Sequence, residues 1–275
     1  MALSVSSVSL FSRQIENYRT KQSSRGNQRD MTGIQIANKK ILVAGGGSGM
    51  GLALAKYCLE AGAQVIIAGR NGDRLARACE ELHRPSQLKA VVADIAREDQ
   101  VANLFDEVGP IDHVVSTAAD IAGAYELLPS LDLEAAQRVV ESKLYGPLLL
   151  AKYGAPKLST AGSITFVSGI AAYRPAPRGA VVAAVNAALE GLVRALAIEL
   201  APIRVNAVSP GWVDTSIWTF VAGDKKDETL TAMAKRLPVG RVGQPVDIAD
   251  AIAFLMGNTF TTGTILHVEG GHRLV

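Results

Sequence analysis

The segment KKILVAGGGSGMG, residues 39–51, decides the fold. Its apolar residues 41–44 are typical of a short buried strand, and the glycines that follow mark a turn. From Met50 onward, apolar residues recur at helical spacing. A glycine-rich turn between a strand and a helix presents backbone N–H groups that, with the helix dipole, can bind a pyrophosphate. The segment therefore predicts a dinucleotide-binding turn.

Strand and helix patterns alternate outward from this segment to the end of the chain. The apolar runs that predict strands are residues 39–47, 63–69, 88–95, 111–117, 162–169, 203–211 and 262–271. The helical patterns are residues 50–61, 73–82, 98–108, 133–155, 181–200 and 245–256. Strands that are apolar throughout and separated by helices imply a parallel sheet covered on both faces. The predicted fold class is α/β, a single doubly wound Rossmann-type domain over residues 31–275.

Composition limits the possible partners. The 275 residues are 48% hydrophobic, enough to bury one sizeable core. The 28 basic and 26 acidic residues are spread along the chain and leave a net charge of +2, which argues against nucleic acid or an anionic membrane as a partner. The longest apolar runs fall well short of the roughly 20 residues that a spanning helix needs, so a soluble protein is expected.

The cysteine content points to a reducing compartment. Cys58 and Cys79 are the only cysteines, and each lies inside a helical pattern. Neither has a histidine or cysteine at ligand spacing, so we expect neither a disulfide framework nor a metal site. A cytoplasmic location fits this pattern.

The first 30 residues differ in composition from the rest. They are rich in serine, glutamine and arginine and contain only two acidic residues, Glu16 and Asp30. Such a tail is typical of an organelle-import signal, while Met31 could equally be the natural start. We expect residues 1–30 to be a disordered, targeting or tag-like tail.

Two other interpretations of the glycine turn fail on its own residues. A P-loop requires a Lys-Ser/Thr pair after the glycines, and none follows. A nucleophile elbow requires a second flanking glycine, which Ser48 lacks. Nucleotide hydrolysis and ester hydrolysis are therefore both disfavoured.

The end of the second predicted strand bears on cofactor choice. Gly69 and Arg70 stand where a dinucleotide fold selective for NAD carries Asp or Glu. An arginine can form charge-assisted hydrogen bonds with a 2′-phosphate. The sequence therefore favours NADP(H) over NAD(H), unless Arg70 is only a solvated surface charge.

The glycine spacing resembles that of the short-chain dehydrogenase/reductase family, and the resemblance extends from Lys39 to the end of the chain. VADI (92–95) is similar to the family's adenine-contacting turn, and SPGWVDT (209–215) is similar to its Pro-Gly segment. VSTAAD (115–120) departs from the family's usual Asn-Asn-Ala-Gly. The residues that the resemblance assigns to cofactor binding are Gly45, Gly47, Ser48, Gly49, Met50, Gly51, Arg70, Asp94, Ile95, Ala118, Pro210, Gly211, Val213 and Thr215. It also implies a homo-oligomer, and we expect a homotetramer in which GTILHVEGG (263–271) packs between subunits.

The catalytic positions of that family have changed. There a Ser, a Tyr and a Lys four residues after the Tyr act with an Asn on an earlier helix. The Tyr hydroxyl donates or takes the proton of a carbonyl or alcohol, and the Lys lowers its pKa. The alignment places Val182 at the Tyr position and Asn186 at the Lys position, and neither is an acid near pH 7. Ser168 matches the serine, and Lys143 stands where the Asn belongs.

The catalytic candidates are therefore Ser168 and Lys143. If Lys143 faces the nicotinamide pocket it could donate a proton or bind an anionic substrate; otherwise it is an exposed helix lysine. The candidates for the substrate pocket are Tyr173, Arg174, Val182 and Asn186. Arg174 could hold a carboxylate in a bidentate contact, although a structural ion pair fits equally well.

Three functions remain open. The first is an NADP(H)-dependent oxidoreductase that transfers hydride to or from a small organic substrate that needs no proton, such as an iminium. The second is a cofactor-binding pseudoenzyme, and the third is a non-redox isomerase or cyclase that reuses the pocket. The first is favoured because the cofactor motifs are preserved at both the adenine and the nicotinamide end. Val182→Tyr combined with Asn186→Lys is expected to create or raise carbonyl reduction.

Overall fold

Seven parallel strands form one sheet. The computed structural model of the chain describes residues 36–83 and 86–275, so the predicted tail over residues 1–30 lies outside the described residues. The strands are β1 (Lys40–Ala44), β2 (Gln64–Gly69), β3 (Leu88–Val92), β4 (Ile111–Ser116), β5 (Leu158–Val167), β6 (Arg204–Pro210) and β7 (Ile265–Val268). Their order across the sheet is β3-β2-β1-β4-β5-β6-β7, with every neighbouring pair parallel. The predicted doubly wound α/β fold is confirmed.

Helices connect the strands. They are α1 (Gly49–Glu60), α2 (Gly72–Leu82), α3 (Glu98–Val108), α4 (Leu133–Val140), α5 (Gly146–Gly154), α6 (Ala180–Glu199), α7 (Ile217–Ala222), α8 (Lys226–Ala234) and α9 (Pro245–Gly257). By length and composition alone α6 could cross a membrane, a test that core helices of soluble proteins also pass. In the structure α6 packs against β6.

Alternate residues of the central strand enter opposite halves of the core. Ile41 and Val43 lie in one buried cluster with residues of α1 and α9, whereas Leu42 and Ala44 lie in a second cluster with residues of α3, α5 and α6. Because successive side chains of a strand point to opposite faces, a strand buried on both sides must be apolar at every position. This explains the continuous apolar run that precedes the glycine turn.

The predicted helix over residues 133–155 is interrupted. A π-helical turn, Glu141–Tyr145, separates α4 from α5, and the Gly146 N–H donates to the carbonyl of Glu141, five residues earlier. Pro147 explains the interruption, because a proline lacks the N–H and its ring clashes with the carbonyl four residues before it, here that of Lys143. Lys143 therefore lies in a widened turn rather than in a regular helix.

Other element boundaries also differ from the predicted ones. Between β6 and α9 the chain forms α7 and α8, which the sequence patterns did not predict. In α8 only Leu230 and Met233 are buried, too few for a clear helical period. The strand predicted over 162–169 begins earlier, at Leu158, and the last strand is only four residues long.

The strand order places a crevice at the carboxyl ends of β1 and β4. The chain runs outward from β1 to β3 and then returns to the other side of β1 with β4. Ligands of open α/β sheets bind where the strand order reverses in this way. The glycine turn and the residues that follow β4 therefore share the position at which a dinucleotide is expected.

Candidate cofactor cleft and active site

The glycine turn after β1 is packed so closely that only glycine fits at its two ends. A Cβ atom at Gly51 would lie 2.2 Å from the Gly45 carbonyl oxygen and 2.5 Å from Thr117 Oγ1. Gly45 has a φ of +86°, in the left-handed region that favours glycine. Thr117 Oγ1 lies 3.3 Å from the carbonyl oxygens of both Ala44 and Gly45. The turn thus holds the start of α1 directly against the ends of β1 and β4.

The first turn of α1 is left open to an anion. Its N-cap residue, Ser48, makes no side-chain hydrogen bond to the helix, and the first turn carries no acidic residue. By contrast, α2 is capped by Asn71, whose side chain accepts from the Arg74 N–H, and has Asp73 in its first turn. Helix N-terminal N–H groups without a protein acceptor attract anions. The turn therefore fits the pyrophosphate of a dinucleotide.

Two predicted cofactor residues from distant segments lie close to this turn. A Cβ atom at Gly45 would lie 2.7 Å from the Ala118 nitrogen, and one at Gly49 would lie 3.6 Å from Thr215 Cγ2. Gly47, Ser48 and Met50 belong to the turn and the start of α1. The segments after β4 and β6 are therefore brought to the dinucleotide turn.

Several of the other predicted cofactor residues are buried or engaged within the chain. Ile95 and Val213 are buried in the core, so their side chains are not available to a ligand. Asp94 Oδ1 accepts from the Ala96 N–H at 3.0 Å and shapes its own turn. Pro210 is the buried last residue of β6, and a Cβ at Gly211 would lie 2.7 Å from the Glu269 Cα atom.

Arg70 is paired with an acidic residue that the sequence patterns did not single out. Its Nη1 lies 2.9 Å from Asp120 Oδ2, with the Arg70 side chain half-exposed and that of Asp120 largely buried. Arg70 follows β2 and Asp120 lies beyond β4, the two strands that flank β1. The ion pair therefore spans the carboxyl end of β1, above the dinucleotide turn.

The positions that carry the family's acid and base lie on α6. Val182 and Asn186 are both buried and one helical turn apart, so they share a face of the helix. Lys143, from the π-helical turn, reaches this face: its Nζ donates to Asn186 Oδ1 at 2.6 Å and to the Ser168 carbonyl at 3.1 Å. An ammonium thus lies beside the asparagine that stands at the lysine position.

The Lys143 ammonium is sequestered without a counter-charge. The residue is only 8% exposed, and both of its hydrogen-bond acceptors are neutral. Burial lowers the pKa of Lys143 to about 8, so the ammonium form still prevails at pH 7. The prediction left open whether this lysine is exposed; the structure buries it against Val182's helix.

The Ser168 hydroxyl is bonded to Glu190 rather than to Lys143. This hydroxyl donates to Glu190 Oε1 at 2.7 Å, and only the Ser168 carbonyl contacts Lys143. The residue that lies against the Asn186 side chain is Gly169, where a Cβ atom would be 2.8 Å from Asn186 Nδ2. Because neighbouring residues of an extended segment point in opposite directions, the Ser168 hydroxyl contacts Glu190 and Gly169 takes the place beside the Asn186 amide. The structure thus gives Ser168 a carbonyl contact with Lys143 and a hydroxyl contact with Glu190, and its catalytic role stays a prediction.

The buried Glu190 joins two of the predicted residues in one hydrogen-bond network. Its Oε2 accepts from the Tyr173 hydroxyl at 2.5 Å while Oε1 accepts from Ser168. Burial, together with Glu190, raises the pKa of Tyr173, and the Tyr173 ring meets His267 edge-on at 4.6 Å. Tyr173 is thus committed to Glu190 and does not supply the missing phenol. Sequence reasoning missed Glu190, although its spacing of four from Asn186 places it on the same helix face.

The arginines of the loop before α6 are also engaged within the chain. Arg174 donates to the Val275 carbonyl oxygen, and Arg178 forms an ion pair with Glu126 at 3.0 Å. Arg174 is therefore bonded to backbone and not in an ion pair within the described residues, and its role as a substrate anchor stays a prediction.

Gly169→Ala is expected to reduce the free energy of unfolding by about 1–3 kcal/mol, because the new methyl group would collide with the Asn186 amide. Denaturant unfolding of the single variants and of Gly169→Ala combined with Asn186→Ala measures the effect. Since the second change removes the colliding amide, the double variant should lose less stability than the sum of the singles. Strict additivity would rule out the collision as the cause.

Known proteins resemble the chain over nearly all of this architecture. The family described as enoyl-(acyl carrier protein) reductase matches residues 44–273. A short-chain dehydrogenase/reductase, ATR9 of Stachybotrys chlorohalonatus, is 36% identical over an alignment of 250 positions that covers 86% of this chain and 97% of that protein.

Solved structures agree with this relationship. The MalC reductase/Diels-Alderase of Malbranchea aurantiaca has a TM-score of 0.81 and 32% identity, covering 87% of this chain and 98% of that one. A small-chain dehydrogenase in complex with NADPH has a TM-score of 0.73 and 32% identity, covering 86% and 100%. The chain therefore belongs to the short-chain dehydrogenase/reductase family of oxidoreductases.

Proposed function

We propose that this protein is an NADP(H)-dependent oxidoreductase that transfers hydride to or from a small organic substrate without a tyrosine acid. The observation that supports this proposal most directly is the first turn of α1. It has no side-chain cap hydrogen bond and no acidic residue, and it follows a close-packed glycine turn. A relative in this family is described as binding NADPH, which supports a nicotinamide cofactor. When bound, the reduced cofactor would supply a hydride at the carboxyl end of the sheet.

Each part of the cleft would have a separate task. The N–H groups at the start of α1 would hold the pyrophosphate, and Arg70 would meet the 2′-phosphate once it leaves Asp120. The cluster of Val182, Asn186 and Lys143 lies at the end of β5, next to β4 in the sheet, and would receive the substrate. Val182 excludes water from this cluster and supplies no proton.

The charge of the cluster changes the expected substrate. An iminium satisfies the requirement for a hydride acceptor that needs no proton, but a buried ammonium repels a second cation. The same ammonium favours an acceptor on which negative charge develops, such as the oxygen of a carbonyl or of a carbonyl-activated alkene, because it can stabilise the alkoxide or enolate that hydride transfer forms and donate a proton to that oxygen. We therefore expect iminium ions to be poorer substrates than these neutral acceptors.

A non-redox reaction is a second candidate. One relative is described as both a reductase and a Diels-Alderase, so the fold can combine the two kinds of chemistry. In this chain, a fixed ammonium can polarise a carbonyl whether or not hydride moves. A cyclase or isomerase reusing the pocket would depend on the same lysine.

The test is a cofactor titration followed by a turnover screen. NADPH binding is measured by fluorescence, and oxidation of the bound cofactor is then followed with simple ketones, activated alkenes and iminium salts. Oxidation by alkenes or ketones supports the proposal. Binding without oxidation by any acceptor would instead identify a pseudoenzyme or a non-redox enzyme, and absence of binding would refute the cofactor assignment.

Arg70→Ala is expected to weaken NADPH binding by about 10- to 100-fold and to leave NADH binding unchanged, because charge-assisted hydrogen bonds to the 2′-phosphate are lost. Asp120→Asn should strengthen NADPH binding a few-fold, since a half-exposed ion pair contributes about 1 kcal/mol or less. Calorimetric titration measures both, with the exposed Arg77→Ala as the control. Equal affinities for NADPH and NADH in the unmodified protein would contradict the preference.

We also propose that the protein acts in the cytoplasm as a homotetramer. The long apolar helix α6 is only partly buried within one chain, with Ile198 82% exposed. Exposed apolar surface on a helix of this length is typical of an interface between subunits.

A further inference from the structure

We propose that the lysine and the asparagine of the family's active site have exchanged positions in this chain, as Lys143 and Asn186. Lys143 now forms a binding site for an anionic oxygen of the substrate, either a carboxylate or an enolate. The inference deepens the proposed function and rests on it for the position of the cofactor. It concerns the positive charge of the Lys143 ammonium, which the loss of the tyrosine does not explain.

The exchange follows from the contact between the two residues. By alignment the family's lysine position holds Asn186 and its asparagine position holds Lys143. In the structure the Lys143 Nζ lies 2.6 Å from Asn186 Oδ1, so the ammonium reaches the face of α6 from the opposite helix. The π-helical turn supplies the backbone that carries it there, because Pro147 prevents a regular helix at Lys143. Such turns are frequent at functional sites.

The hydrogen bonding of the ammonium is incomplete. A lysine ammonium has three N–H donors, and within residues 36–83 and 86–275 two of them have acceptors, Asn186 Oδ1 and the Ser168 carbonyl. The third has no acceptor there. A buried donor without an acceptor is costly, so this N–H is available to a ligand atom that accepts.

The charge of the ammonium is also uncompensated. No carboxylate of the described part of the chain pairs with Lys143, and the nearest acidic residue along α6, Glu190, has both oxygens occupied by the hydroxyls of Ser168 and Tyr173. A charge removed from water is costly unless an opposite charge or hydrogen bonds offset the loss. The missing partner is therefore an anion, and an oxygen atom fits the remaining N–H.

The experiment compares three probes of similar size by calorimetry, with and without NADP⁺. They are cyclohexanecarboxylate, cyclohexane-1,3-dione, which is largely an enolate at neutral pH, and neutral cyclohexanone. We expect at least one anion to bind about 10- to 100-fold more tightly than cyclohexanone. A preference for the dione indicates that the ammonium holds the reacting oxygen, and a preference for the carboxylate indicates a substrate anchor.

Two neutral variants identify the residue. Lys143→Gln keeps an N–H donor but removes the charge, and Lys143→Met removes both; each should abolish the preference for the anion, because the affinity for the anions should fall much more than the affinity for cyclohexanone. Lys143→Arg should retain part of the preference for the anion, because it keeps the positive charge. The matched control is Lys152→Met, which changes an exposed lysine of α5 paired with Glu98. If one neutral variant fails to fold, the other and the unmodified protein still decide the question.

Three results would overturn the proposal. They are equal binding of all three probes, no binding of either anion, and a preference that survives in a folded neutral variant. Failure of the cofactor assignment is seen separately, because NADP⁺ would then fail to bind while the anion preference in the cofactor-free protein still tests Lys143.

Discussion

Val182→Tyr alone is expected to raise the reduction of simple ketones by a factor of about 10² to 10³, because it restores a general acid beside an existing ammonium. The phenol would lie one helical turn before Asn186, whose amide contacts the Lys143 ammonium. A nearby positive charge lowers the pKa of a phenol, so Lys143 would take the part of the family's lysine. The gain stays below the largest values for acid catalysis because Val182 is buried and a larger side chain must be accommodated.

The structure changes the expected effect of adding Asn186→Lys to Val182→Tyr. From sequence alone, Asn186→Lys would complete the Tyr and Lys pair of the family. In the structure it would remove the acceptor of Lys143 and set a second ammonium against the first. Val182→Tyr with Asn186→Lys should therefore be slower than Val182→Tyr alone, and adding Lys143→Asn should recover the rate.

Hydride-transfer kinetics on a panel of ketones measure these variants. Ala184→Tyr, at an exposed position of the same helix, is the control for the added phenol. If the double variant exceeds the single one, Lys143 does not supply the positive charge. If no variant that folds and binds NADPH gains activity, the site lacks more than its acid, and the non-redox function becomes the better proposal.

Gly51→Ala is expected to reduce the free energy of unfolding by about 3 kcal/mol and to weaken NADPH binding by more than about 100-fold. The methyl carbon would lie 2.2 Å from a backbone oxygen, that of Gly45, and backbone cannot rotate away as a flexible side chain can. The start of α1 would have to move from the end of β1. The N–H groups that hold the pyrophosphate would move with it.

Denaturant unfolding and a fluorescence titration with NADPH test this prediction. Gly191→Ala is the matched control, because this glycine lies within α6 and a Cβ there meets only the end of the Arg194 side chain at 4.0 Å. That change should preserve or increase stability, since alanine favours a helix. If Gly51→Ala behaved like the control, the close approach between α1 and β1 would not exist in solution.

Much of this arrangement follows from local patterns. The apolar run before Gly45 and the glycines after it predict both the strand and the turn, because each depends on a few adjacent residues. The loss of the acid at Val182 is also visible from sequence, since α6 keeps a regular helical frame. These features need no information about distant parts of the chain.

Other features depend on contacts between segments far apart in sequence. The contact of Lys143 with Asn186 joins residues 43 positions apart, and the ion pair of Arg70 with Asp120 crosses the end of β1. Gly169, rather than Ser168, lies beside the Asn186 side chain, and this depends on which way each residue points after β5 ends. Alignment by residue type could not distinguish two neighbouring positions that point in opposite directions.

The widened turn at Glu141–Tyr145 also sets the rotational phase between α4 and α5. Each residue of an α-helix advances the chain by about 100° around the axis, so one additional residue in a turn rotates everything before it by about that angle relative to everything after it. The buried residues of the two helices belong to different clusters: Val139 of α4 packs with Val185 of α6, whereas Leu149 and Leu150 of α5 lie in the core with residues of α3. The two helices carry independent apolar faces, and a one-residue deletion between them would swing the lysine away from α6 while leaving both helices intact.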